Sequence, residues 1–329
     1  MQDKTEFKFE FKNLPQEIND VIAQHLPTRD LLNQVLVSKA DTASFFQPTL
    51  DVRTFLHHVV CGEHDKVRAM LEKDIHLLYK RGEVTDCSGR EFKLINDKGM
   101  EAREKKGSLI SGFEYALWAL DKDLWTLMLD CIPKNGEGKK VLERLLTQYE
   151  KLKVNGVSYS IDGQAITEQH FDFKGTIITE LQTQVDSLNA PGPKDGNAID
   201  KQWRNGVGRA QRLVPLHVVH WYCCKIPFHP IPNFAEQQPT LVKQFWNYPT
   251  KIHEDWFAQC TKLGEDFAVY KGTHSWAQAA AGAVRVIVAS YDLVALKALC
   301  VARTNDFINL NQQLEKQLLV HNQPMGFQI

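Results

Sequence analysis

The chain has 329 residues, 43% of them hydrophobic and 24% charged, which is the composition of an ordinary globular protein with room for two or three domains. Its 39 basic and 40 acidic residues nearly cancel, so there is no electrostatic footprint for nucleic acid or an anionic membrane. No apolar run approaches a membrane span, the opening MQDKTEFKFEFK has no signal-peptide core, and the seven cysteines, scattered apart from Cys223-Cys224, read as reduced thiols in a cytosol.

Residues 1–13 alternate charge with Phe7, Phe9 and Phe11, a period of two that suits an edge strand or a solvated lead with one face tucked down. Pro15 then opens a helix whose apolar positions are Ile18, Val21, Ile22 and Leu26. Pro27 stops it, Thr28 caps a second helix, and Leu31, Leu32, Val35 and Leu36 give that helix a broad apolar face ending at Val37. A third turn runs through Phe45 and Phe46 to Pro48. Helices this short cannot bury all these side chains among themselves, so part of the face is expected to meet another surface.

The blocks Leu14-Pro15-Gln16-Glu17-Ile18, Asp30-Leu31-Leu32 and Val37-Ser38-Lys39 resemble an F-box, the three-helix module that docks on the Skp-family adaptor of cullin-RING ubiquitin ligases. Where that family usually has a Trp two residues after the Lys, this chain has Asp41. The resemblance covers residues 1–50. It implies that Leu14, Pro15, Ile18, Leu31, Leu32 and Val37 bind the adaptor. A helical hairpin that merely closes the next domain is the alternative reading of the same residues.

From Asp51 the pattern becomes paired helices. Phe55, Leu56, Val59 and Val60 form one apolar face, Gly62 breaks it, and Val67, Met70 and Leu71 form another. FEYALWALDKDLWTLMLDC can be laid beside FLHHVVCGEHDKVRAMLEK, with Phe55 against Phe113, Val59 against Leu117, Val67 against Trp125 and Leu71 against Leu129. Such self-similarity signals stacked repeats, and the residues around Thr54, Leu56, His57, Gly62, Asp65 and Val67 resemble an ankyrin repeat. Between the copies, residues 86–89 read as a turn joining two short strands, a β finger, and the charge-dense 96–106 as a surface loop.

Beyond a Gly/Lys linker after Pro133, Val141, Leu142, Leu145, Leu146 and Tyr149 mark a helix. Asp162-Gly163 is a two-residue hairpin turn between alternating strands, and residues 173–188 return to a helix through Ile177, Ile178, Leu181 and Val185. Residues 190–198 form the best linker, and 213–224 resume helical spacing. Pro227, Pro230, Pro232 and Pro239 force an extended loop whose Phe228 and Phe234, with Trp246, either pack on the core or form a recognition groove. Lys271-Gly272-Thr273-His274 reads as a capping loop before a helix at 276–290, followed by helices at 293–302 and 307–319 with Asp292 and Thr304 as caps.

Two constellations bear on chemistry. His217, His220 and Cys224 fall on one helix face, and nitrogen and thiolate ligands suit Zn²⁺, with Cys223 and His229 nearby; the spacing matches no familiar zinc module, so no metal or other cofactor is assigned. Cys223 or Cys224 with a histidine suggests a cysteine hydrolase, but a helix C-terminus opposes a thiolate.

The block from Gly82 to Phe92 with FEYALWALD, then QWRNGVGRAQRLVPLHVVHWYC and ARTNDFINL, resembles effectors secreted into host cells by intracellular bacteria of the Legionella type. This resemblance implies work in the host cytoplasm. The expected fold is mainly α: a three-helix F-box-like module at 1–50, ankyrin-like hairpins with a β finger at 51–134, and a mainly helical domain with a β-hairpin at 135–329, softly divided near 190–200. The expected function is a non-catalytic receptor joining a host protein to the Skp-family adaptor and its cullin, without nucleic acid or a membrane span. An enzyme centred on residues 217–229 and an ankyrin-type binder are the alternatives.

Overall fold

The computed structural model describes residues 14–37, 40–93, 109–258, 261–280 and 286–321. The alternating lead at 1–13, Ser38 and Lys39 of the third F-box-like block, the loop at 96–106 and residues 281–285 of the helix expected at 276–290 lie outside them.

The chain is mostly helical with several small sheets. Helix α1 (Gln16–His25) starts at Pro15, whose carbonyl accepts the amides of Ile18 and Asn19. Pro27 separates it from α2 (Thr28–Val37), and both lie on α3 (Ala40–Val60). The helix expected to end at Pro48 instead continues to Val60. A proline within a helix forfeits one hydrogen bond. Here its ring is exposed while Phe46 before it and Val52, Phe55 and Leu56 after it are buried, so packing carries the helix through.

At Gly62 the backbone turns with φ +64°, and a Cβ there would lie 2.5 Å from the Leu216 side chain. Helix α4 (His64–Lys73) follows, then a 3-10 turn (Ile75–Leu78) and strands β1 (Arg81–Gly82), β2 (Val84–Thr85) and β3 (Glu91–Phe92). Strand β4 (Ile110–Ser111) pairs with β1 and leads into α5 (Gly112–Trp118), whose start is closed by a reciprocal Ser111/Glu114 capping box. Asp121 caps α6 (Lys122–Asp130) by accepting the Leu124 amide. The two helix pairs stack, α3 on α5 and α4 on α6.

Helix α7 (Gly136–Asn155) precedes the expected hairpin, β5 (Val157–Ile161) and β6 (Gln164–Glu168), turned at Asp162 and Gly163 with φ of 50° and 77°. Strand β3 pairs with β5 through Glu91 and Ser160, so finger and hairpin form one sheet in the order β2-β3-β5-β6. A π-helical stretch (Lys174–Ile178) runs into α8 (Thr179–Asn189); another (Gln202–Gly208) joins α9 (Gly196–Lys201) to α10 (Arg209–Arg212). Then come α11 (Leu216–Cys223), β7 (Gln244–Asn247), β8 (Ile252–Asp255), β9 (Ala268–Tyr270), β10 (Gln278–Ala280) and α12 (Val286–His321). One buried cluster runs from Val52 to Leu314, while Ala23, Leu31 and Phe46 form a separate small one.

The C-terminal third departs from the expected helices. Residues 278–280 are a strand, and the helices expected at 293–302 and 307–319 are parts of the 36-residue α12, packed on α7 and α8. Asp292 and Thr304 therefore lie inside a helix. The buried Asp292 carboxylate accepts the backbone amides of Lys271, at 3.0 Å, and Gly272, at 2.7 Å. Lys271 does cap a helix, but the preceding one: its Nζ donates to the carbonyls of Trp221, Tyr222 and Cys224 at 2.8, 2.8 and 2.5 Å. A lysine among the last carbonyls satisfies orphan acceptors and complements the helix dipole. The proline loop folds back, with Phe228 on Tyr222 and Phe234 on Trp221.

Arg90 lies at the centre of the body, 3% exposed. Its guanidinium carbon is 5.2, 5.4 and 5.3 Å from the ring centroids of Trp118, Tyr159 and Phe171. Its Nη1 donates to Ser88 Oγ at 2.6 Å and to the Leu213 carbonyl at 2.7 Å, and stands 3.8 Å from the Asp86 carboxylate. Asp86 in turn closes the finger turn by accepting the amides of Ser88 and Arg90. Replacing Arg90 with Met strands a buried carboxylate, and such a loss costs about 3–5 kcal/mol. Urea unfolding of Arg90→Met is expected to show that drop, with the double change Asp86→Asn/Arg90→Met recovering part of it.

Candidate functional site

The N-terminal module turns one side inward and one outward. Leu31, Ala23 and Phe46 form its small core, flanked by Ile22, Leu26, Val35 and Leu50. Outward point Ile18, Val21, Leu32, Leu36 and Val37, with relative exposures of 46, 51, 43, 70 and 79%. Pro15 is exposed at the edge and Leu14 is half-buried. Of the six residues expected to dock, Leu31 is thus unavailable: it is fully covered by its own module. The exposed set gains Val21 and Leu36, whose helical positions were legible but whose direction depends on where α3 lies.

Arg53, on α3, holds the module to the body. Its guanidinium donates to the carbonyls of Gln24 and Leu26 at the end of α1, at 2.9 and 2.7 Å, to Thr28 Oγ1 at 3.1 Å, and to Glu83 beside β2 at 3.2 Å. Next to it a cleft of about 270 Å³ separates module from body, lined by residues including Pro48, Val52 and Glu83. No helix among the described residues is long and apolar enough to cross a membrane.

A second grouping escaped sequence reasoning. Cys61, just past the end of α3, lies 3.8 Å from the His57 ring, one turn back, and Cys87 of the finger turn comes up against the same helix end. The Cys87 thiol donates its proton to the Val60 carbonyl at 3.4 Å. The neighbouring Cys87 thiol, with the charges of His57 and Lys243, lowers the Cys61 pKa to about 6 against burial and Glu63. Cys87 is held protonated, since the neighbouring Cys61 and its own burial both raise its pKa. Cys61 is a free, half-buried cysteine whose surroundings favour the thiolate, the form that acts as a nucleophile. His57-x-x-x-Cys61 was visible as one helix face; the approach of Cys87 was not.

The histidine–cysteine group of α11 does not converge. His217 Nε2 donates to the Ala119 carbonyl at 2.8 Å, and the Cys224 thiol turns to the Trp221 carbonyl at 3.3 Å. Burial pushes His217 and His220 down to about 3, keeping both neutral. Burial also raises the Cys223 thiol out of the nucleophilic range. Among the described residues no group of three or more His, Cys, Asp or Glu side chains could hold a metal ion.

Residues 176–314 match the model of the CBUA0006 C-terminal domain. The uncharacterized protein CBUA0006 of Coxiella burnetii (strain RSA 493 / Nine Mile phase I) is 32% identical over 278 residues, covering 79% of this chain and 74% of that protein. The chain belongs to the CBUA0006 family. Its relative comes from an intracellular bacterium. No solved structure matches. Within the CBUA0006 C-terminal domain lie α11, the Lys271 cap, the sheet β8-β7-β10-β9 and most of α12; the N-terminal module and the Cys61–Cys87 pair precede it.

Two outcomes follow for this family member. Cys61 should be alkylated by iodoacetamide at a rate that rises through pH of about 6, while the buried Cys223 stays unlabelled until the chain unfolds; peptide mass spectrometry across pH 5–9 reads both. A histidine whose folded pKa is depressed contributes stability that is present above its unfolded pKa of about 6.5 and lost as pH falls towards the folded value. His217 and His220 should therefore make urea stability fall between pH 6.5 and about 3, with a shallower slope in His217→Gln.

Proposed function

We propose that this chain is a non-catalytic substrate receptor: its N-terminal module docks on the Skp-family adaptor of a cullin-RING ubiquitin ligase, and the rest of the chain presents a host protein for ubiquitination in the host cytoplasm. The observation that carries the reading is the outward face of α1 and α2, where five large apolar side chains meet water on one small module. Large apolar side chains left exposed on amphipathic helices mark an interaction site, and such helices engage partners by burying that face. The F-box resemblance of the same residues names the partner. The docking set becomes Ile18, Val21, Leu32, Leu36 and Val37, with Pro15 at its rim, while Leu31 serves the module's own core.

The stacked helix pairs α3/α4 and α5/α6 support an ankyrin-like scaffold for the body, and the relative from Coxiella burnetii supports delivery to a host cell. Neither role requires a reacting residue.

Co-purification of the full chain with a human Skp-family adaptor tests the proposal. Wild type should form a stable complex, and Leu32→Asp with Leu36→Asp should abolish it while leaving thermal melting nearly unchanged, because both side chains already face water. Leu31→Ala should instead destabilise the module, by about 2–5 kcal/mol for a buried leucine. Absence of a wild-type complex, or its survival in the double variant, rejects the reading.

A further inference from the structure

A different surface, inside the CBUA0006 C-terminal domain, shows a constructed arrangement that the docking face does not use. In the sheet β8-β7-β10-β9 the register sets His253 beside Trp246, Trp246 beside Gln278, and Gln278 beside Tyr270. Alternation puts these four on one face, since Phe245, Ala279 and Val269 of the same strands are buried in the core on the other. Trp276 joins the same face, its ring 6.3 Å from that of His253, which is 5.1 Å from Trp246. Trp276 and Tyr248 are each 42% exposed.

Gln278 lies at the bottom of this ring of aromatics, 7% exposed. The hydroxyls of Tyr248 and Tyr270 donate to its Oε1 at 2.9 and 3.0 Å, which fixes the carboxamide plane. Its Oε1 takes both hydrogen bonds, and its Nε2 is left to solvent. A second planar polar pair borders the row, where Gln244 Nε2 donates to Asp255 at 2.9 Å.

We propose that this face is a carbohydrate-binding site. A pyranose with equatorial hydroxyls has flat faces of C–H groups that stack on indole rings, while its edge needs planar donors and acceptors, which the Gln278 amide and the Gln244–Asp255 pair supply. A purely apolar peptide side chain would cover Nε2 without satisfying it, an unfavourable desolvation. Single-stranded nucleic acid would stack on the same rings but needs a basic track. Here Lys251 already sits over the Tyr248 ring at 5.1 Å, and Asp255 adds negative charge. The proposal is independent of the adaptor reading, because no residue of α1 or α2 takes part.

The test is a tryptophan-fluorescence and calorimetric titration of the full chain with cellotetraose, tri-N-acetylchitotriose and, for comparison, dodecathymidylate. At least one sugar is expected to bind saturably, and Trp276→Ala should weaken it by about tenfold or more, the loss of one stacking partner. Gln278→Leu should weaken it similarly. If that buried change impairs folding, the exposed Trp276→Ala, checked by unchanged thermal melting, decides alone. Ile18→Asp should leave sugar binding intact. Failure of both sugars to saturate, wild-type affinity in Trp276→Ala, or saturation by dodecathymidylate alone overturns the assignment.

Discussion

A buried cation holds the body together, and its environment explains the topology around it. Arg90 comes from a short finger turn, yet it collects the indole of α5, a tyrosine of β5, a phenylalanine just before the π-helical stretch and the carbonyl that follows α10. Taking a guanidinium out of water is costly unless its donors and its charge find partners. Asp86, Ser88 and the Leu213 carbonyl supply hydrogen bonding and countercharge, and three aromatic faces supply the remaining attraction. Glu168 extends the network by accepting from Trp118 Nε1 and the Tyr159 hydroxyl, both at 2.9 Å, which holds two walls of the enclosure in place. An aliphatic side chain could fill the volume, but it could not specify the distance between finger, hairpin and α10.

The N-terminal module is attached on different terms. It has its own small apolar cluster, and among the described residues it is joined to the body by the length of α3 and the polar grip of Arg53. The guanidinium satisfies carbonyls at the end of α1 that an isolated helix would leave to water. This division lets α1 and α2 keep an apolar face outward without opening the main core. It also explains why Leu31 and Leu32, adjacent in sequence, have opposite fates: one looks at α3 and the other away from it.

Local chemistry was legible where it was self-contained. Asp162-Gly163 specified its turn because a two-residue hairpin needs positive φ at both positions, and the helices at 141–149 and 173–188 showed their period plainly. The stretch Trp276–Ala280 misled for the opposite reason. Its alanines favour a helix in isolation, but Ala277 and Ala279 are fully buried and β10 is claimed by parallel pairing with β7, a partner about thirty residues earlier. Pro48 misled because propensity overlooked the packing on both sides of it. The capping duty read at Lys271 falls on the preceding helix, and nothing around Arg90 in the sequence marks it for burial, as basic side chains are mostly exposed. Cys61 and Cys87 lie far enough apart in sequence that only the packing of the finger turn against the end of α3 unites them.

Lys271 also accounts for where thiol chemistry is and is not available. A cation beside Cys223 and Cys224 would ordinarily favour a thiolate. This ammonium makes its short hydrogen bonds to the three carbonyls ending α11, with the Cys224 sulfur farther off at 3.7 Å, while Asp292 fixes its backbone from the other side, so helix end, loop and α12 are tied together. The cation is a structural cap, and burial then dominates the Cys223 thiol. At the end of α3, Cys61 is only half-buried and has a histidine, a nearby lysine and the Cys87 thiol beside it, and the balance reverses. The same lock sets the frame for the aromatic sheet. Strand β9 leads directly into Lys271, and the loop from Lys271 to Trp276 leads into β10, so the cap anchors the chain between the two strands that pair at Tyr270 and Gln278.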